Sequence, residues 1–118
     1  MKSKEEVQAI IAKGGHTIWR DGITRDHGFV VGGYDEEVFV PADDHELFKK
    51  VFTRYNNIML MMEDWDTSIM GVGVWHDKGN LVLDLVQWHE YKEDAITEGN
   101  LLSQDAIYDL DFDEVINL

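Results

Sequence analysis

The chain has 118 residues, 44% of them hydrophobic, and carries 24 Asp+Glu against 10 Lys+Arg for a formal charge of −14. That is the length of one ordinary domain with enough apolar material for a core, so a single globular domain over residues 1–118 is expected. So acidic a balance excludes direct binding of nucleic acid or an anionic membrane through a broad basic face, and no apolar run approaches the roughly 20 residues that cross a bilayer.

The absence of cysteine rules out disulfides and thiolate metal sites, and together with the polar N-terminus it points to a soluble, cytoplasmic protein. The charge is unevenly spread. Residues 1–60 hold 8 Lys+Arg and 10 Asp+Glu, whereas residues 61–118 hold 2 and 14. Such a half-chain reads first as a solubilising surface and second as a selected negative potential.

Residues 4–13 place Val7, Ile10 and Ile11 on one helical face, and Gly14-Gly15 stops that helix at a C-cap-like position. Residues 16–20 predict a strand, followed by turn signals at Asp21-Gly22 and His27-Gly28. Residues 28–33 and 38–40 predict a hairpin across Tyr34, Asp35, Glu36 and Glu37. Pro41 ends it, and Asp43 with Glu46 three residues on has the form of an N-cap and capping box. The apolar stripe Leu47, Phe48, Val51, Phe52, Tyr55, Ile58, Met59 and Met62 repeats at a 3.6-residue period and predicts one helix over about residues 44–62. Lys49, Lys50 and Arg54 fall on its opposite face; Leu60 and Met61 also lie off the stripe and are expected to be exposed.

The stretch 69–90 organises the rest. Two apolar runs, 69–75 and 81–88, flank His76-Asp77-Lys78-Gly79-Asn80 and predict a β-hairpin, closed by either a two-residue turn or a type I turn with a bulge. Neither run alternates with polar residues, so the pair belongs in the interior of a sheet, with Val74 and Leu83 buried. Residues 91–104 predict a helix in which Gly99 marks either very close packing or an early end. Short strands over 106–109 and 115–118 complete the chain. The fold class expected is α+β: one mixed, mostly antiparallel sheet of five to seven strands with two or three helices packed on it.

Gly73-Val74-Trp75-His76-Asp77, Gly79 and Leu83-Asp84-Leu85-Val86, followed by Asp94-Ala95-Ile96 and residues 104–110, resemble a group of small acidic uncharacterised proteins of actinobacteria and their phages. The resemblance covers roughly residues 69–116 and implies a phage or mobile-element setting, with no established activity to carry over.

No catalytic motif stands out. His45-Glu46 and His89-Glu90 begin like a zinc-protease helix motif, but Lys49 and Glu93 occupy the place of its second histidine. Asp109, Asp111 and Asp113 imitate the start of a calcium loop, yet Glu114 stands where the glycine belongs. A site built from His76 and His89 would need carboxylates from a further element, so surface histidines are the simpler reading and neither metal nor cofactor is expected. The glycine pairs follow no strand-to-helix phosphate loop, and no base accompanies a serine or threonine nucleophile. Asp84 is the exception to an otherwise plain pattern. It stands between Leu83 and Leu85 in the most apolar run, where a carboxylate must find donors. A structural buried acid, tied to backbone N–H groups, Arg20 or an indole, is preferred to a general acid or base.

The expected function is therefore non-enzymatic: a small acidic protein that binds a host protein, including one with a basic surface. The alternatives are a nucleic-acid mimic that occupies a DNA- or RNA-binding cleft, and a small hydrolase or metal-dependent enzyme. Tyr34, Leu60 and Met61 are the candidate apolar contacts, and they form the favoured interface. Glu93, Asp94, Asp111 and Asp113 are the candidate acidic contacts, with Glu63, Asp64 and Asp66 as further carboxylates of a mimic.

Overall fold

The computed structural model describes residues 4–34, 36–61 and 69–118. Its centre is the predicted hairpin, β4 (Ile69–Asp77) and β5 (Asn80–His89), paired in unbroken register from Ile69↔Trp88 to Asp77↔Asn80. Lys78 and Gly79 both take positive φ, 48° and 83°. The closure is thus the two-residue turn whose backbone twist matches that of the flanking strands.

Three shorter strands flank the hairpin and two more extend the sheet. β1 (Gly15–Trp19) pairs with β4, while β2 (Phe29–Val31) and β3 (Val38–Pro41) both pair with β5. Beyond β2 come β6 (Ala106–Asp109) and β7 (Glu114–Asn117), giving the order β1-β4-β5-β2-β6-β7 with β3 beside β5. The seven strands pair antiparallel at every contact. The α+β expectation holds. The second predicted hairpin does not form: β2 and β3 never meet, because each takes its own stretch of the same edge of β5, residues 87–89 and 80–83.

Three helices pack on this sheet: α1 (Lys4–Lys13), α2 (His45–Met61) and α3 (Lys92–Leu101). α1 ends as expected, Gly14 at φ 98° donating its N–H to the Ile10 carbonyl at 2.9 Å. α2 is capped one residue later than its sequence suggests: Asp44 Oδ1, not Asp43, accepts the Leu47 N–H at 3.0 Å. Phe48, Phe52, Tyr55 and Met59 of its stripe are buried, each contributing about 1.5–3 kcal/mol by leaving water. Leu47 stays partly exposed, and Met62 lies outside the described residues.

The register puts Val72, Val74, Leu81, Leu83 and Leu85 on one face with Val31 and Ile107, and every helix covers that face. α1 and α2 close a large core over β1, β3, β4 and β5; α3 closes a smaller one of Val31, Ala95 and Ile107. Gly99 answers the question its position raised. A methyl there would meet Leu118 Cδ1 at 2.6 Å and Ile107 Cγ2 at 3.0 Å, so the helix runs on to Leu101 and packs at backbone distance.

On the opposite face no helix packs among the described residues. At one end the 20–28 loop folds over it: Arg25 lies 5.3 Å from both the Trp19 and Trp88 rings and forks onto Asp21 at 2.6 and 2.9 Å. That guanidinium holds the Asp21 carboxyl down to about 2. Trp88 Nε1 donates to the His27 carbonyl at 2.7 Å, closing the loop onto the strand. No helix among the described residues is long and apolar enough to cross a membrane.

Candidate functional site

Because β2 stops at Val31 and β3 pairs only as far as Leu83, residues 84–86 of β5 have no strand paired on that edge, and Gly32 and Gly33 stand against Asp84 there. β6 pairs with β2 through Tyr108 and Asp109 and starts earlier, at Ala106, so its approach faces the middle of β5 across the place β2 vacates. The result is an open cleft of about 400 Å³ lined by Gly33, Glu37, Asp84, Ser103, Gln104, Asp105 and Ala106.

Asp84 lies at its floor, only 4% exposed, and its Oδ2 accepts the Gly33 N–H at 3.0 Å. Backbone donation was one of the structural roles expected of this carboxylate. Side chains are excluded above it. A methyl on Gly32 would fall on the Asp84 carboxylate, and one on Gly33, which has φ 93°, on the Gln104 amide. The far wall is the end of α3, where Gln104 N–H returns to the Gly99 carbonyl at 2.8 Å and Ser103 turns at φ 57°. The lining contains three carboxylates, one serine hydroxyl and no histidine, lysine or arginine. What the cleft offers is chiefly negative charge and hydrogen-bond acceptors.

On the helix-covered face a polar seam separates the two cores. Tyr34 Oη lies against Gln87 Oε1 and 2.9 Å from Glu98 Oε1. With one hydrogen it donates to one of them at a time, and burial followed by Glu98 pushes its ionisation upward. Tyr34 is therefore no exposed apolar contact: its position two residues after Gly32 reads as loop surface in sequence, but the chain turns its hydroxyl inward onto α3 and β5. Beside it, His89 Nε2 is buried without a hydrogen-bond partner among the described residues. Burial lowers the His89 pKa, and the nearby Glu98 and Asp94 partly oppose that.

A folded-state pKa below the unfolded one means that the unfolded chain binds the proton more readily, so this histidine costs stability as pH falls through and below about 6.5. Urea-unfolding midpoints at pH 7.5 and 5.0 should differ less in His89→Phe than in the parent. An unchanged or larger pH difference in that variant would remove the assignment.

The other expected contact residues fall in two places. Leu60 and Met61, at the end of α2, are 46% and 84% exposed. Glu93 and Asp94 are exposed in the first turn of α3, and Asp111 and Asp113 are exposed in the β6–β7 turn. The register joins these acidic segments, since Phe29 pairs with both His89 and Asp109 and so sets the end of β5 and the β6–β7 turn at the same end of the sheet. The turn is held firmly: Asp109 Oδ1 accepts the Asp111 N–H at 2.9 Å, Asp111 Oδ2 accepts Gly28 N–H at 3.1 Å, and Asp113 Oδ1 accepts Tyr108 Oη–H at 3.2 Å. Glu63, Asp64 and Asp66 lie outside the described residues. Among those described, no three His, Asp or Glu side chains are grouped to hold a metal ion, and His76 and His89 occupy opposite ends of the hairpin.

No known protein-family model, curated protein or solved structure matches this chain.

Proposed function

We propose that the protein is a non-enzymatic binding protein of phage or mobile-element origin that engages a host protein through a basic surface on that partner. The observation that carries this reading is the meeting of two acidic segments at one end of the sheet, Glu90, Glu93 and Asp94 beside Asp109, Asp111, Asp113 and Glu114. Over residues 79–118 Lys92 is the sole Lys or Arg in the sequence, so little within that part of the chain offsets the field. Fixed carboxylates of one sign steer a complementary partner and raise its association rate, the more so where hydrogen bonds already hold them in place.

The test is capture of a partner from host lysate, followed by its affinity at 50 and 200 mM salt. Binding should weaken roughly 10-fold or more over that range, and Glu93→Lys, Asp94→Lys, Asp111→Asn and Asp113→Asn should add to one another. A salt-insensitive complex that is lost in Leu60→Ala/Met61→Ala would move the interface to the end of α2. If no saturable partner is captured, the binding reading itself falls.

A further inference from the structure

β7 ends the sheet order, and one hydrogen bond fixes which way its backbone groups point. Leu118 donates its N–H to the Asp105 carbonyl at 2.9 Å, so with the register running from Ala106↔Asn117 to Asp109↔Glu114 every second pair, Ile116 with Ile107 and Glu114 with Asp109, bonds inward to β6. Val115 and Asn117 therefore aim their N–H and C=O groups away from the sheet. The same alternation on the far side of β6 sends the Leu110 N–H to the Gly28 carbonyl at 2.9 Å, so the parity agrees on both edges of that strand. None of the four outward groups of Val115 and Asn117 has a partner among the described residues. Ile116 packs on the smaller core and anchors the strand from within. Val115 is 62% exposed and Phe112, in the turn before it, 74%, while Glu114 and Asn117 are exposed as well. β1, at the other end of the order, has no exposed residue.

We propose that the free edge of β7 takes up an extended, basic segment of a partner protein as an added strand. The inference rests on reading the chain as a binding protein and gives that reading a mode of contact. Outward backbone groups at strand spacing specify an extended segment, since another strand offers N–H and C=O at the same repeat. Charge specifies its chemistry. Asp111, Asp113 and Glu114 stand exposed in and beside the strand and residues 93–118 contain no Lys or Arg, so an added strand of like charge is repelled and a basic one attracted. A second copy of this chain is disfavoured on the same ground, because it brings those carboxylates and a formal charge of −14 with it. Alternation specifies the pattern: Val115 and Glu114 point to opposite faces, so the residues that pair with them are in turn apolar, against Val115, and basic, against Glu114.

The experiment is an amide NMR titration of the protein with a capped hexapeptide, Thr-Lys-Val-Lys-Val-Thr, and its acidic counterpart, Thr-Glu-Val-Glu-Val-Thr. Saturable shifts are expected at the Val115 and Asn117 amides, whose hydrogen exchange should slow, and the acidic peptide should bind at least about 10-fold more weakly. Two N-methylated forms of the basic peptide, one at both lysines and one at both valines, test the backbone: a strand pairs along one edge, so one form should lose binding and the other keep it. Asn117→Pro removes one outward N–H without touching the inward ladder and should weaken binding, and Glu114→Lys, at an exposed position, should reduce the preference for the basic peptide and keeps the test valid if Asn117→Pro does not fold. Equal binding of the basic and acidic peptides, equal binding of the two N-methylated forms, shifts confined to α3, or no shifts at millimolar peptide would each overturn the added strand. Shifts at Val115 and Asn117 that grow with protein concentration alone would overturn it too, by giving the edge to a second copy. A captured host partner whose salt-sensitive binding is unchanged in Asn117→Pro and is not displaced by the basic peptide overturns the edge and keeps the binding reading; saturable peptide binding with no host partner captured does the reverse.

Discussion

Leu83→Ala should destabilise the protein by about 2 to 5 kcal/mol, because Leu83 is fully buried between α2 and the sheet and its removal leaves a cavity that neighbouring strands on both sides keep from collapsing. For a domain of this size that corresponds to a fall in melting temperature on the order of 10 °C or more. Amides of β4 and β5 should be the slowest to exchange, since each strand has partners along both edges over most of its length. A neutral Leu83→Ala variant, or fast exchange through both strands, would contradict the placement of this hairpin at the centre.

The second large effect is expected at Gly28. Its φ of 85° costs a side chain about 1–2 kcal/mol, and a methyl there would stand 2.5 Å from Trp88 Nε1 and 2.8 Å from the His89 carbonyl oxygen. The backbone oxygen cannot swing away as a side chain could, so overpacking adds roughly 1–3 kcal/mol. Gly28→Ala should therefore cost about 2 to 5 kcal/mol in chemical unfolding. It should also disturb the acidic end, because Gly28 donates to Asp111 and its carbonyl accepts the Leu110 N–H at 2.9 Å. A Gly28→Ala variant of parental stability would mean that the 20–28 loop does not close over Trp88 as described.

What was legible in the sequence was what local pattern encodes. The stripe from Phe48 to Met59 carries its own period, the turn at Lys78-Gly79 its own chemistry, and the two core strands their unbroken hydrophobicity. Val74 and Leu83 follow from those patterns alone, and so does the exposure of Leu60 and Met61. The error over residues 28–40 has a physical cause. Two short apolar runs separated by a turn-like segment satisfy every local rule for a hairpin, and only the competition for the edge of β5 draws them apart. The cleft was invisible for the same reason, since Gly33 and Gln104 acquire their roles only when distant strands leave a gap between them. Asp84 was conspicuous as a carboxylate among leucines; that it looks into a cleft was not. Tyr34 misled because a tyrosine in a loop looks exposed until α3 is brought over it.

The two-residue turn that closes β4 and β5 has a bearing on how the chain comes to be built. β1, β2 and β3 each find their partner on that hairpin, and β6 and β7 are reached only through β2. Everything from α1 to α2 precedes the hairpin in the chain, so a ribosome releases residues 4–61 before the surface on which they fold exists. Until residue 89 has emerged, that first half is a set of amphipathic pieces without a template. Its exposed apolar stripe must then wait for the hairpin, which can close by itself within microseconds once both strands are free. Folding of this domain is thus set by when the hairpin arrives, and the residues made before it are the ones that depend on it most.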